Sequence, residues 1–151
     1  IAPEPILRDL PRLEAAIDVA AAADLLLVGR RHVRSNNPWM HNMRVLVKGK
    51  PRCTLQVNPG DAERLGLVDG ATATVTSRVG SVAVAVEVTD AIMAGVVSLP
   101  HGWGHDRPGT DMAVAEEFAG VNSNILTDEA VLDPLSGTSA LTAIPVEVTA
   151  A

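Results

Sequence analysis

Apolar and polar positions fall into short blocks along the chain, and the blocks predict strands separated by long polar loops. Apolar residues at 10, 13, 16, 17 and 20 have helical spacing, so residues 10–19 are predicted as a helix with Pro11 in its first turn. Residues 25–28 are a continuous apolar run closed by Gly29, the pattern of a short buried strand. Between 30 and 50 the periodicity disappears, which predicts a long loop with room for one helical turn. Trp39, Met40 and Met43 argue that this loop is ordered.

Residues 53–57 alternate as a strand. A short helix is predicted over 58–65, with Asn58 as N-cap, Pro59 at the first helical position, Asp61 and Glu63 near the positive end of the dipole, and Gly66 as the stop. Asp69-Gly70 signals a turn. Residues 73–77 and 81–88 read as a hairpin around Val79-Gly80. In its second arm Val82, Val84, Val86 and Val88 share one face, with Ala83, Ala85 and Glu87 on the other. Residues 96–99 form a further strand stopped by Pro100, and 101–120 a second long polar segment rich in Gly. Residues 124–128 read as a helical turn and 144–148 as a closing strand. Short strands, few short helices and Gly-punctuated turns predict a mostly β fold, a barrel, as one domain over 25–151 preceded by a leading segment over 1–24.

Charge changes this picture by its distribution. The net charge is −6, which excludes a generic nucleic-acid binder, yet seven of the twelve basic residues (Arg30, Arg31, Arg34, Arg44, Lys48, Lys50 and Arg52) lie between 30 and 52 with no Asp or Glu among them. A solvated basic loop is the simplest account of that run, and an anion site is the alternative. No apolar run approaches the roughly 20 residues of a membrane span, so no membrane insertion is expected. Cys53 is the single cysteine, which suits a reducing compartment, and no signal peptide is apparent; a cytoplasmic location is the expectation. The chain opens on Ile1, as a piece of a longer protein would.

Three segments have the composition for chemistry. In residues 29–42, Gly29 allows close backbone approach, and Arg30, Arg31 and Arg34 present forks matched to phosphate oxygens. Ser35, Asn36, Asn37 and Asn42 offer neutral donors and acceptors for a heterocycle edge, and Trp39 offers a ring for stacking or a hydrophobic plug. In His101-Gly102-Trp103-Gly104-His105-Asp106, the two glycines break any helix that would put both histidines on one face. A metal site is therefore a weak reading, and a loop that lets a ligand approach is the stronger one. The G-x-G there lacks the remainder of a dinucleotide fingerprint. Residues 122–128 and 133–137 contain capping Asn, Ser and Asp side chains, of which one Asn is a candidate ligand contact. Ser98 with His101, or Cys53 with any histidine, forms a dyad only on paper, because no nucleophile elbow or cysteine-enzyme signature accompanies them.

The order of these segments resembles a known family. Leu25-Leu26-Leu27-Val28-Gly29-Arg30 is followed by Val57-Asn58-Pro59-Gly60-Asp61-Ala62, Leu65-Gly66-Leu67 and Gly70. Next come Val75-x-Ser77-Arg78-x-Gly80-Ser81-Val82 and Val88-Thr89-Asp90, with Gly95-Val96-Val97-Ser98-Leu99-Pro100 after them. The series ends with Asn124-Ile125-Leu126-Thr127 and Leu132-Asp133-Pro134-Leu135-Ser136-Gly137. It resembles the molybdopterin dinucleotide-binding C-terminal domain of the dimethyl-sulfoxide reductase superfamily, with formate dehydrogenases and nitrate reductases as similar-looking members. The resemblance implies a double-psi β-barrel closing over two molybdopterin guanine dinucleotides carrying molybdenum or tungsten. It nominates Gly29, Arg30, Arg31, His32, His41 and Asn42 in the first loop, His101, Gly102 and Trp103 after Pro100, and Asn124 with its neighbour Asn122. Arg34 and Asn37 join them from the residue reading above.

Members often carry His-Thr-Gly in the first loop, where this chain has Pro38-Trp39-Met40-His41-Asn42. The family's iron–sulfur cysteines and metal ligand lie far upstream, and Cys53 matches neither. No catalytic residue or metal ligand is therefore expected here. The expected partners are upstream domains of a parent oxidoreductase, or a separate catalytic subunit that a small stand-alone chain would join. An independent enzyme on the same barrel, such as a self-processing decarboxylase, would need a Gly-Ser pair, and only Gly80-Ser81 offers one. A domain of this kind is expected to expose an apolar patch where other domains cover it.

Overall fold

The structure is a computed structural model that describes residues 2–21 and 24–151. Six strands close a barrel: β1 (Leu25–Arg30), β2 (Thr54–Val57), β3 (Thr72–Thr76), β4 (Ser81–Val88), β5 (Val96–Pro100) and β6 (Ile144–Ala150), in the order β1-β5-β2-β4-β3-β6. β1 runs parallel to β5 and β2 parallel to β4, and the other neighbours are antiparallel. This is the mostly β, double-psi-type barrel that the resemblance implied. Closure leaves no strand edge unpaired.

The core is made by the inward half of each alternating strand. Leu25 and Leu27, Leu55 and Val57, Val82, Val84 and Val86, Val97 and Leu99, and Ile144, Val146 and Val148 are all buried. The valine face predicted on β4 is the core face, with Val88 half-buried against it. Pro100 does not stop β5. It pairs with Arg30 at the strand's last position, where a missing N–H removes little from the ladder.

Among the described residues the α-helices are α1 (Glu4–Ala21), α2 (Arg44–Val47), α3 (Pro59–Leu65) and α4 (Ala113–Glu117). α3 forms as its sequence dictates. Asn58 accepts the Gly60 N–H at 3.0 Å, Gly66 takes the left-handed conformation (φ 66°) that closes the helix, and buried Asp61 accepts the Gly95 N–H at 2.7 Å, tying α3 to the start of β5. α1 begins six residues earlier than its periodicity predicted, so Pro11 lies inside it rather than in its first turn. Pro5 occupies the early position instead. The apolar residues Ile6, Leu7, Leu10, Leu13 and Ile17 of α1 are exposed. Among the described residues no helix is long and apolar enough to cross a membrane.

Candidate functional site

Parallel pairing of β1 with β5 creates the site. Because Arg30 pairs with Pro100, both strands end side by side, and the two polar loops that follow them (31–43 and 101–112) leave from the same end of the barrel. A 3-10 turn at Ser123–Leu126 closes the third side. It is held there by Gly80, where an added Cβ would lie 2.5 Å from the Ile125 carbonyl oxygen. Gly80-Ser81 is thus a packing contact at the start of β4.

Two adjoining clefts open between these walls. One, of about 230 Å³, lies between Gly29, Arg31, His101, Ser123, Asn124 and the 141–144 segment. The other, of about 390 Å³, lies between Arg31, His32, Asn36, Asn37 and His101. Arg30, Arg31 and His101 line both. In a protein of net charge −6, neither cleft has an Asp or Glu among its described lining residues. The local field therefore favours an anion.

The guanidinium groups divide into two kinds. Arg30 is folded inward: Nη1 donates to the Ser98 carbonyl at 2.5 Å, and Nη2 donates to the Thr54 carbonyl at 2.7 Å, to Thr54 Oγ1 at 2.9 Å and to the Arg52 carbonyl at 3.2 Å. Thr54 Oγ1 in turn donates to Glu87 at 2.6 Å. Burial pushes the Arg30 pKa down and the nearby Glu87 carboxylate opposes it. Arg30 is thus a fixed positive charge under the clefts, with its fork already occupied. Arg52 likewise donates to the carbonyls of Leu46, Val47 and Lys48 at the end of α2, while Arg44 pairs with Glu117 at 2.6 Å and Lys50 with Glu87 at 3.3 Å. Much of the basic run is therefore structural. Arg31 differs: it is exposed, lines both clefts and donates one N–H to Asn37 Oδ1.

The other nominated residues separate similarly. Gly29, His32, Asn37, His101 and Asn124 line the clefts. His32 Nδ1 accepts the Arg34 N–H at 3.1 Å, and burial together with Arg52, Arg34 and Arg30 lowers its pKa below the usual value. Arg34 is exposed on the same loop but lines neither cleft. Asn36 and Asn37 both have positive φ (42° and 58°), so these amide residues also make the backbone reversal that Asn tolerates better than most. Asn122 Oδ1 accepts the Asn124 N–H at 3.0 Å as a cap.

Asn42 Oδ1 accepts the N–H groups of Val114 and Ala115, each at 3.1 Å, and thereby starts α4 from another part of the chain. Local periodicity predicted only loop there, because the cap lies some seventy residues away. Asn42→Ala is expected to cost about 1–2 kcal/mol and to unprotect the α4 amides, read by hydrogen exchange.

His41 (1% exposed) and Trp103 (7%) lie beneath the clefts, not in them, with their rings stacked at 3.9 Å. Trp39, by contrast, is 81% exposed. Gly102 (φ 86°) brings the two loops together backbone to backbone, since an added Cβ would lie 3.0 Å from the Asn37 carbonyl carbon. Ser123, Thr127 and Thr142 also line the first cleft and were not nominated. Ser123 and Thr127 could have been found from their places in the same turn as Asn124. Thr142 follows no polar pattern.

His101 Nε2 is buried and has no hydrogen-bond partner among the described residues, and the His101 ring lies in the wall common to both clefts. Burial and the Arg31 charge lower the pKa of this imidazole and so favour its neutral form. A buried ring nitrogen without a partner is costly unless something fills it. Together with Arg31, Asn124 and the absence of carboxylates, it fits a ligand that combines phosphates with a heterocycle. No group of three or more His, Cys, Asp or Glu residues is placed to hold a metal among the described residues.

Residues 25–145 match the Molydopterin dinucleotide binding domain. Over 78 residues the chain is 35% identical to the arsenate respiratory reductase molybdopterin-containing subunit of Chrysiogenes arsenatis, covering 50% of this chain and 9% of that protein. Its fold is similar to that of acetylene hydratase from Pelobacter acetylenicus, with a TM-score of 0.71 and 22% identity over 89% of this chain and 19% of that one. The chain thus spans a small fraction of the length of either. It belongs to the family of Molydopterin dinucleotide binding domains.

Proposed function

We propose that this chain is the C-terminal, cofactor-gripping domain of a larger molybdenum or tungsten oxidoreductase of the formate dehydrogenase or nitrate reductase type, and that it binds molybdopterin in its guanine dinucleotide form. The observation that carries the reading is the pair of carboxylate-free clefts joined at Arg31 and at the unpartnered His101 Nε2. When bound, the cofactor supplies the metal centre and the electron exchange, and the protein supplies binding and orientation. Arg31 would attract and hold phosphate oxygens, with Arg30 as a fixed charge behind it. His101 Nε2 and Asn124 would meet polar edges of the ligand, and Gly29 would let it approach the backbone. Asn122, Asn42 and Trp103 would hold those walls in place.

The partners in this proposal are upstream domains of the same polypeptide, or a separate catalytic subunit, in a reducing compartment such as the cytoplasm. The exposed apolar side chains of α1 support docking of this kind.

Titration of the chain with GDP, followed by amide chemical shifts, tests the reading. Perturbations are expected over residues 29–37, 101 and 123–127, and Arg31→Ala is expected to weaken binding about tenfold or more with little change in stability. No perturbation at millimolar GDP would sink it.

A further inference from the structure

Beneath the clefts, the first and second loops meet on three rings. His41 Nδ1 lies 2.8 Å from His105 Nε2, the His41 ring stacks on Trp103, and the His105 ring meets that of His41 edge-on with centroids 5.0 Å apart. His41 is 1% exposed, and His105 and Trp103 are each 7% exposed. None of the three lines either cleft. Two imidazole nitrogens at this distance share one proton, so the contact needs at least one of the two rings neutral and is lost when both are imidazolium. His41 Nε2 is buried without a partner among the described residues.

We propose that the His41–His105 pair is a pH-sensitive latch that fastens the first loop to the second at neutral pH and releases the two walls of the cleft on acidification. A first additional proton places an imidazolium in a buried site where no carboxylate hydrogen-bonds to either ring among the described residues, and a second sets N–H against N–H across 2.8 Å. The charged and titratable groups facing His41 are His105, Arg52 and His101, all of which oppose its protonation, and Asp106 faces His105 and favours it. Burial outweighs the Gly102 backbone carbonyl, which favours protonation of His41, and Asp106, which favours that of His105, so both rings have lowered pKa values, that of His41 pushed down to about 4.

The direction follows from linkage. In released loops both histidines return toward the ordinary 6.5, so the open form takes up protons first. Above pH 6.5 the latch does not depend on pH. As pH falls from 6.5 toward 4, the closed-to-open ratio drops by up to about tenfold per unit through His41 alone, on the order of 100-fold across the window.

Control of ligand entry by this latch rests on the proposed function; the latch itself does not. Trp39→Phe leaves Trp103 as the only tryptophan, a reporter stacked on His41. Lowering the pH of this variant from 8 to 4 is expected to shift Trp103 emission to the red, reversibly and with a midpoint between 4 and 6.5, while far-UV circular dichroism of the barrel stays constant. Adding His41→Phe, which keeps a stacked ring but cannot titrate, should remove the transition, and GDP affinity should fall in the same window.

Emission that stays flat, or an unchanged transition in the His41→Phe variant, overturns the latch. If that variant does not fold, the ring-proton shifts of His41 in the Trp39→Phe protein decide: titration at 6.5 overturns it, and titration well below 6.5 supports it. GDP that binds at no pH counts against the nucleotide reading, whereas GDP affinity constant across a clear emission change overturns control of entry.

Discussion

Replacing Arg30 by alanine is expected to destabilise the protein by about 3 kcal/mol in urea unfolding, and not merely to weaken a ligand contact. The guanidinium bridges the carbonyls of Ser98, Arg52 and Thr54 and the Thr54 hydroxyl, which lie on β5, on β2 and just before β2. Removing it leaves these acceptors facing one another without a donor, at roughly 1–3 kcal/mol for each that water cannot reach. It also removes one of the two cations beside the Thr54–Glu87 pair, leaving Lys50. Arg30→Lys should recover only part of the loss, because one ammonium cannot span acceptors in a planar fork. A free guanidinium waiting for phosphate predicts the reverse: unchanged stability and weaker binding alone. Equal urea midpoints for wild type and Arg30→Ala would therefore reject the role described here.

Gly104→Ala is the second large effect, expected at about 3–4 kcal/mol in thermal or urea unfolding. Gly104 has φ 100°, a conformation that strains any L side chain, and an added Cβ would lie 2.7 Å from Asn122 Cβ and 2.9 Å from the Asn122 backbone nitrogen. Backbone strain and overpacking add here, at about 1–3 kcal/mol each. The obstacle is backbone, so a rotamer change cannot relieve it. The chain must move at Asn122, the cap of the turn carrying Ser123 and Asn124, and the first cleft should change shape with it. Gly137→Ala is the control, with a similar left-handed φ (69°) but open space around it. It should cost about 1 kcal/mol. Equal losses at the two positions would show that conformation alone matters and that the contact with Asn122 does not.

Elements whose determinants lie within a few residues of one another were legible in the sequence. α3 is the clearest case, because its cap, its proline, its acidic first turn and its terminal glycine all fall between 58 and 66. The valine face of β4 was legible for the same reason, since alternation with period two records burial of one face directly. The limits of α1 were less so. Its exposed apolar residues face no barrel core that would sharpen the pattern, and the helix starts around Pro5 instead of Pro11.

By itself, then, the sequence determined the strands and turns, the mostly β class and, through its ordered motifs, the family resemblance. It also marked the segments from which the clefts are built. Only the tertiary structure decided which side chains in those segments are available to a ligand. Arg30 and Arg31 are adjacent in sequence and identical in chemistry, yet one is engaged by carbonyls up to 68 residues away and the other is exposed in the clefts. Asn42 and Asn124 are both amides in polar loops, yet the first caps a helix from 72 residues away. His41 and His105 became partners across 64 residues. The physical reason is common to all three. Hydrogen bonds and burial are satisfied in space, and the parallel pairing of β1 with β5 sets which distant groups meet.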